Sequence, residues 1–345
     1  MDKKERFFRT LNREETDKPC WWLGMPTAEA LPALYRHFRA RNFKELKLAV
    51  DDDIWTMDMP YENGTTNAIY MAFDFAKENQ TLSPNERTLT SPGFFEDYED
   101  EEDFEKFDRW PDPEKYINRE ACQRLIREVP KGMPVMAVLW SAHFQDACSA
   151  FGMEDALIKM KVAPELFGKV IDRITEFYLR ANEIFYEYTK GQIDSVLIGN
   201  DFGTQTGLIV SPDDLREFVF SGTKRLIDQA HAYGLKVIHH SCGAISEVIP
   251  DLIECGVDAI HPIQALASGM EPQKLKNQFG DKASFAGGID AQQLLVNGSP
   301  TEVKAKVAEL RSIFPTGLII SPSHEAILPD IPPENIQAIA DAMRR

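Results

Sequence analysis

The chain has 345 residues, 43% hydrophobic and 27% charged, with 55 acidic against 38 basic side chains and a formal net charge of −17. That balance, with no run of Lys or Arg, excludes a nucleic-acid surface, which neutralises phosphates with clustered basic groups. The apolar content excludes a disordered chain, and no stretch approaches the roughly 20 consecutive apolar residues of a membrane span.

The opening MDKKERFF mixes charge signs and lacks an apolar signal core, so a cytoplasmic location is expected. A short helix is predicted over 3–11, then a turn at 12–18 and a strand at 20–23 (CWWL). Another strand is expected within 53–58. From about 61 to 105 the alternation of apolar runs and amphipathic stretches breaks, which reads as a β-rich insertion over one end of the fold. It closes in the densest charge run, 96–105 (EDYEDEEDFE), read as a solvated turn leading into a helix.

Beyond residue 130 short apolar runs alternate with amphipathic segments, as in β/α units around a parallel sheet. Strands are predicted at 134–140, 193–198, 235–240, 257–260, 283–286 and 317–321. Helix start signals, Ser211-Pro and Ser299-Pro, introduce crossover helices at 215–233 and 303–313, and the last helix is expected at 335–345. Eight strands with intervening helices most economically make a single α/β domain over 1–345, a (β/α)8 TIM barrel; a doubly wound open sheet has the same local pattern.

A parallel barrel carries its site where the strands end at their C-termini. Polar residues gather there: Ser141 and His143, Asn200 and Asp201, His239 to Gly243, His261 to Gln264, Gly287 to Asp290, and Ser321 to Glu325. His240 and Cys242 leave an extended chain on the same side, while His239 points the other way. An imidazole and a thiolate favour zinc, and a third ligand with an open position would make the site catalytic. His324 is the leading third ligand. Asp201 and Asp290 could do acid–base work, orient a ligand imidazole or cap a helix. Trp21, Trp22, Met25 and Trp140 belong to the core or wall a pocket for a flat ligand. The five cysteines (Cys20, Cys122, Cys148, Cys242, Cys255) are too scattered for a disulfide framework, and Cys255 reads as a packed thiol. No G-x-S-x-G elbow is present, which removes serine-hydrolase chemistry.

The N-terminal RFFRTLNREETDKP, Gly199-Asn-Asp-Phe-Gly-Thr-Gln205, His240-Ser-Cys-Gly243, Gly287-Gly-Ile-Asp290 and Ser321-Pro-Ser-His324 resemble the uroporphyrinogen decarboxylase superfamily, nearer its corrinoid methyltransferase branch than the decarboxylase. The resemblance implies the barrel fold, and zinc held by His240 and Cys242 with His324 where the branch has a cysteine. It further implies methyl transfer between a small substrate and the corrinoid of a partner protein. Asp201 is then the catalytic residue. Substrate would meet Trp21, Met25 and Trp140 together with His143, Asn200, Gln264 and Asp290. The decarboxylase's arginine-rich R-Q-A-G-R motif after the first strand is replaced here by WWLGMPT at 21–27, with no clamp for a polycarboxylate. Competing expectations are a metal-independent lyase and a non-catalytic ligand-binding subunit; homodimerisation is left open.

Overall fold

The computed structural model describes residues 1–61 and 91–344. Its strands are β1 (Cys20–Trp21), β2 (Met25–Pro26), β3 (Trp55–Asp58), β4 (Val135–Trp140), β5 (Ser195–Gly199), β6 (Lys236–His240), β7 (Ala259–Ile263), β8 (Ser284–Ile289), β9 (Leu318–Pro322) and β10 (Ala326–Ile327). Eight of them form one curled sheet in the order β1-β9-β8-β7-β6-β5-β4-β3, parallel throughout, and β2 pairs with β10. This is the predicted (β/α)8 barrel.

Alternation along each strand divides the core into two layers. Cys20, Trp22, Ile54, Met136, Val138, Leu197, Ile238, Ala259, Ala286 and Ile319 pack together inside the barrel, and their sequence neighbours pack outward against the helices. The helix Lys3–Leu11 plugs the N-terminal end: Phe7 and Leu11 are buried in the inner cluster, each worth about 1.5–3 kcal/mol. Ser284 Oγ donates to Thr10 O and Leu11 O at 2.9 and 3.0 Å, capping that helix's end with a barrel side chain.

The seam between β1 and β3 is closed largely by carboxylates. Asp53 N donates to Trp21 O at 3.0 Å. Trp21 N and Leu23 N donate to Asp53 Oδ2 and Asp52 Oδ2, each at 3.0 Å. Behind them Arg6 Nη1 lies 2.6 Å from Asp53 and Lys47 Nζ 2.8 Å from Asp52, so each buried carboxylate has a buried cation.

Two expectations change. The helix predicted over 215–233 is two helices, Pro212–Phe218 and Phe220–Ala232, joined at Val219, whose carbonyl oxygen lies 3.1 Å from His143 Nε2. Most of the insertion expected to be β-rich, 62–90, lies outside the described residues. Its remainder is turn and the short helix Glu101–Phe104, capped by Asp100, so strand does not extend into the acidic run. Among the described residues no helix is long and apolar enough to cross a membrane.

Candidate metal centre

His240 is the last residue of β6, and Cys242 lies two residues on, past the ladder. Because side chains alternate, both face the barrel mouth while His239 turns outward and stacks on Phe202 with ring centroids 5.7 Å apart. Burial holds the His239 imidazole down at about 3, so it is neutral at any ordinary pH.

Three donors converge at the mouth. His240 Nε2 lies 3.2 Å from Asp201 Oδ1 and 3.4 Å from Cys242 Sγ, and the ligand atoms of these three residues all fall within 4.8 Å of one another. Two ligands on one tetrahedral zinc, bonded at roughly 2.0 to 2.3 Å, stand about 3.3 to 3.6 Å apart. The donor spacing therefore fits the ion, and nitrogen, sulfur and carboxylate oxygen are its usual ligand types.

Asp201 is held on both sides. Its Oδ1 accepts from Cys242 N at 2.9 Å, its Oδ2 from Gln145 Nε2 at 3.4 Å, and its own N–H donates to Gln145 Oε1 at 3.2 Å. Burial raises the Asp201 pKa, but His240 outweighs it and leaves the carboxyl well below its usual range. Cys242 behaves similarly: burial pushes the thiol up, and His240 with His324 pulls it below its ordinary value. Burial pulls His240 down, yet Glu325, Cys242 and Asp201 together carry it well above an ordinary imidazole.

His324, expected as third ligand, is not in the group of donors that lie within 4.8 Å of one another, which Asp201 joins with His240 and Cys242. The His324 ring hydrogen-bonds Cys242, a contact that raises its own pKa, and its Nδ1 accepts from Ala326 N at 3.0 Å. The cause is that His324 sits between β9 and β10, on a turn offset from the strand line that His240 and Cys242 continue.

The other predicted residues divide into wall and scaffold. Trp140 meets His240 edge-on, centroids 5.1 Å apart, from a left-handed backbone (φ 55) at an irregularity in the β4–β5 register. Met25 packs against the inner cluster, and its N–H donates to Glu325 O at 2.6 Å. Gly24 permits that approach: its φ is +89, and a Cβ there would meet Glu325 O at 2.5 Å.

Trp21 faces the helices, with Nε1 bonded to Val50 O at 3.2 Å; its neighbour Trp22 is the one inside, 5.3 Å from His261. One residue of parity separates the two. Asn200 Oδ1 accepts from Phe144 N and Gln145 N, and Asn200 Nδ2 is 3.4 Å from Nδ1 of His143, the buried first residue of the helix His143–Phe151. Burial keeps His143 below the usual imidazole range. Gln264 Oε1 accepts from Gly243 N at 2.7 Å and steadies the Cys242 loop. Asp290 accepts from Gln292, Gln293 and Leu294 N–H, the capping alternative rather than a free carboxylate.

Three residues given no individual site role from sequence contribute, Gln145, His261 and Glu325, and of the two candidate tryptophans after β1 it is Trp22 that faces the site. Counting by two from Cys20 points Trp22 inward. His261 and Glu325 stand in the strand-end groups, but nothing local marks them as neighbours of His240. Gln145 has no local signal, since its role is to clamp a residue 56 positions away.

The chain is 25% identical over 134 residues to a methylcobamide:CoM methyltransferase MtaA of Methanosarcina barkeri, which is 39% of this chain and 37% of that relative. It is 25% identical over 245 residues to a uroporphyrinogen decarboxylase of Geobacter metallireducens, covering 69% and 68% of the two chains. A methylated-thiol–coenzyme M methyltransferase of Methanosarcina mazei is 24% identical over 261 residues, 72% of this chain and 65% of that one. Among solved structures, a methyltransferase from Methanosarcina mazei superposes with a TM-score of 0.69 at 19% identity, over 100% of this chain and 98% of that chain, a likeness of fold. The family model for uroporphyrinogen decarboxylase (URO-D) matches residues 2–345, and the chain belongs to that family.

Proposed function

We propose that this chain is a methyltransferase that moves a methyl group between a small substrate and a corrinoid carried by a partner protein, using zinc held by His240, Cys242 and Asp201. The observation that carries this reading is the meeting of imidazole, thiolate and carboxylate donors within 4.8 Å at the barrel mouth. The two methyltransferase relatives support it, as does the family resemblance of the H-x-C pair. A bound zinc supplies Lewis-acid polarisation of a heteroatom on one reactant.

The chain's own residues supply the rest. Cys242 and Asp201 bring negative charge that keeps a cation in place, and the Gln145 clamp holds Asp201 at fixed reach. His324, hydrogen-bonded to Cys242, spreads the sulfur's charge without taking a ligand position. Trp140 and Trp22 flank the His240–His261 pair and exclude water from one side of it. No arginine lies in 21–27, so a polycarboxylate finds no guanidinium in that segment, and the net charge of −17 favours a neutral or cationic substrate.

Metal analysis of the purified protein tests this. Stoichiometric zinc in the wild type, lost in His240→Ala and Cys242→Ala, is expected, together with demethylation of a methylated corrinoid followed by its absorbance. Wild type purified without zinc, and unable to take it up on dialysis, would transfer support to the metal-independent lyase.

A further inference from the structure

Beside the ligand set lies a second group of three donors, His240, His261 and Glu325, which shares His240 with the first. The register makes this local: His240 on β6 and His261 on β7 are direct partners in the parallel ladder, with both side chains on the inward face. Their Nδ1 atoms are 2.9 Å apart. That is the length of an N–H···N hydrogen bond, and it is shorter than the roughly 3.3 Å that two imidazole nitrogens keep on one tetrahedral ion. A proton on either Nδ1 would bridge the two rings at that length. Glu325 Oε2 stands 3.5 Å from His240 Nδ1 and 3.5 Å from His324 Nδ1, and that buried oxygen has no hydrogen-bond partner among the described residues, so it faces both of these imidazoles.

We propose that Glu325 and His261 are positioning residues that hold a proton on His240 Nδ1 and so make Nε2 the nitrogen offered to zinc beside Cys242 and Asp201. The inference rests on the zinc reading above, and it assigns two residues to that site which touch no reactant. His261 accepts from His240 through Nδ1, which puts its own hydrogen on Nε2, an atom that is buried and makes no bond among the described residues. Trp22 against His261 and Trp140 against His240 prevent either ring from turning to exchange its nitrogens. Without the Glu325 charge, the His240 proton is free to move to Nε2 and bond Asp201, where it competes with the metal.

The test combines zinc competition against a chromophoric chelator with long-range proton–nitrogen NMR of the histidine rings, on the full chain. Wild type is expected to bind zinc with His240 protonated at Nδ1 and metallated at Nε2. Glu325→Gln and His261→Leu are expected to bind zinc about 10- to 100-fold more weakly, and Glu325→Asp to recover part of the loss. If wild type binds no zinc, the functional reading falls and this inference with it. If wild type binds zinc while both variants match its affinity, only this inference is overturned. Should the variants not fold, the wild-type spectrum decides: metal on Nδ1 and hydrogen on Nε2 would overturn it.

Discussion

The barrel seam offers a stability prediction that can be worked through. Lys47 Nζ lies 2.8 Å from Asp52 Oδ2, and neither side chain reaches solvent. Asp52 also accepts from Ile54 N at 2.8 Å and Leu23 N at 3.0 Å. Asp52→Asn keeps the volume and one carbonyl acceptor but removes the charge, leaving Lys47 buried alone. An unpaired buried charge costs about 3–5 kcal/mol. Lys47 can instead shed its proton, which at pH 7 costs about 4.6 kcal/mol for a lysine with an unfolded pKa near 10.4. The expected loss is therefore about 3–5 kcal/mol, a large share of the roughly 5–15 kcal/mol that holds a typical protein folded.

Proton loss leaves a signature. A neutral Lys47 in the folded variant has a depressed pKa while the unfolded lysine stays charged, so the unfolded state binds more protons and stability rises with pH. Between pH 7 and 9 the variant should regain up to about 2.7 kcal/mol. In the wild type, burial pulls Lys47 down but the Asp52 charge pushes it back up, so the slope is smaller. Urea unfolding at both pH values measures this. A loss under about 1 kcal/mol, with the same pH slope in both proteins, would refute the pairing argument.

Two further outcomes accompany the zinc and tautomer experiments. Iodoacetamide should label Cys242 first: its thiol is lowered, whereas Cys20, Cys122, Cys148 and Cys255 are buried and pushed up, Cys122 and Cys148 to about 12 and Cys255 to about 11. Because a depressed pKa keeps the thiolate at lower pH, the labelling midpoint should fall below about 8.5 and rise in His324→Ala; mass mapping that finds another cysteine labelled first would count against it. Gly24→Ala should cost about 1–3 kcal/mol from its left-handed backbone and, by displacing Glu325, weaken zinc binding as well; unchanged affinity in a destabilised variant would separate the two effects.

Much of the fold is legible locally because each β/α unit carries its own apolar run, start signal and turn. Every predicted strand overlaps an observed one, including 20–23 with Cys20–Trp21 and 53–58 with Trp55–Asp58. The helix break at Val219 carries no local signal; its carbonyl oxygen meets His143, from another unit. The short β2–β10 pair was also missed, since two-residue strands carry no period to detect.

What the sequence alone determined is the eight strands of the main sheet, their parallel direction implied by β/α alternation, and the H-x-C pair on one side of β6. Only the tertiary structure decided which partners complete that pair. It brought Asp201 into the donor set with His240 and Cys242, and set His261 and Glu325 beside His240. Closing a twisted sheet into a barrel makes neighbours of residues 20 to 300 positions apart, and their distances depend on register and bulges that no local pattern encodes.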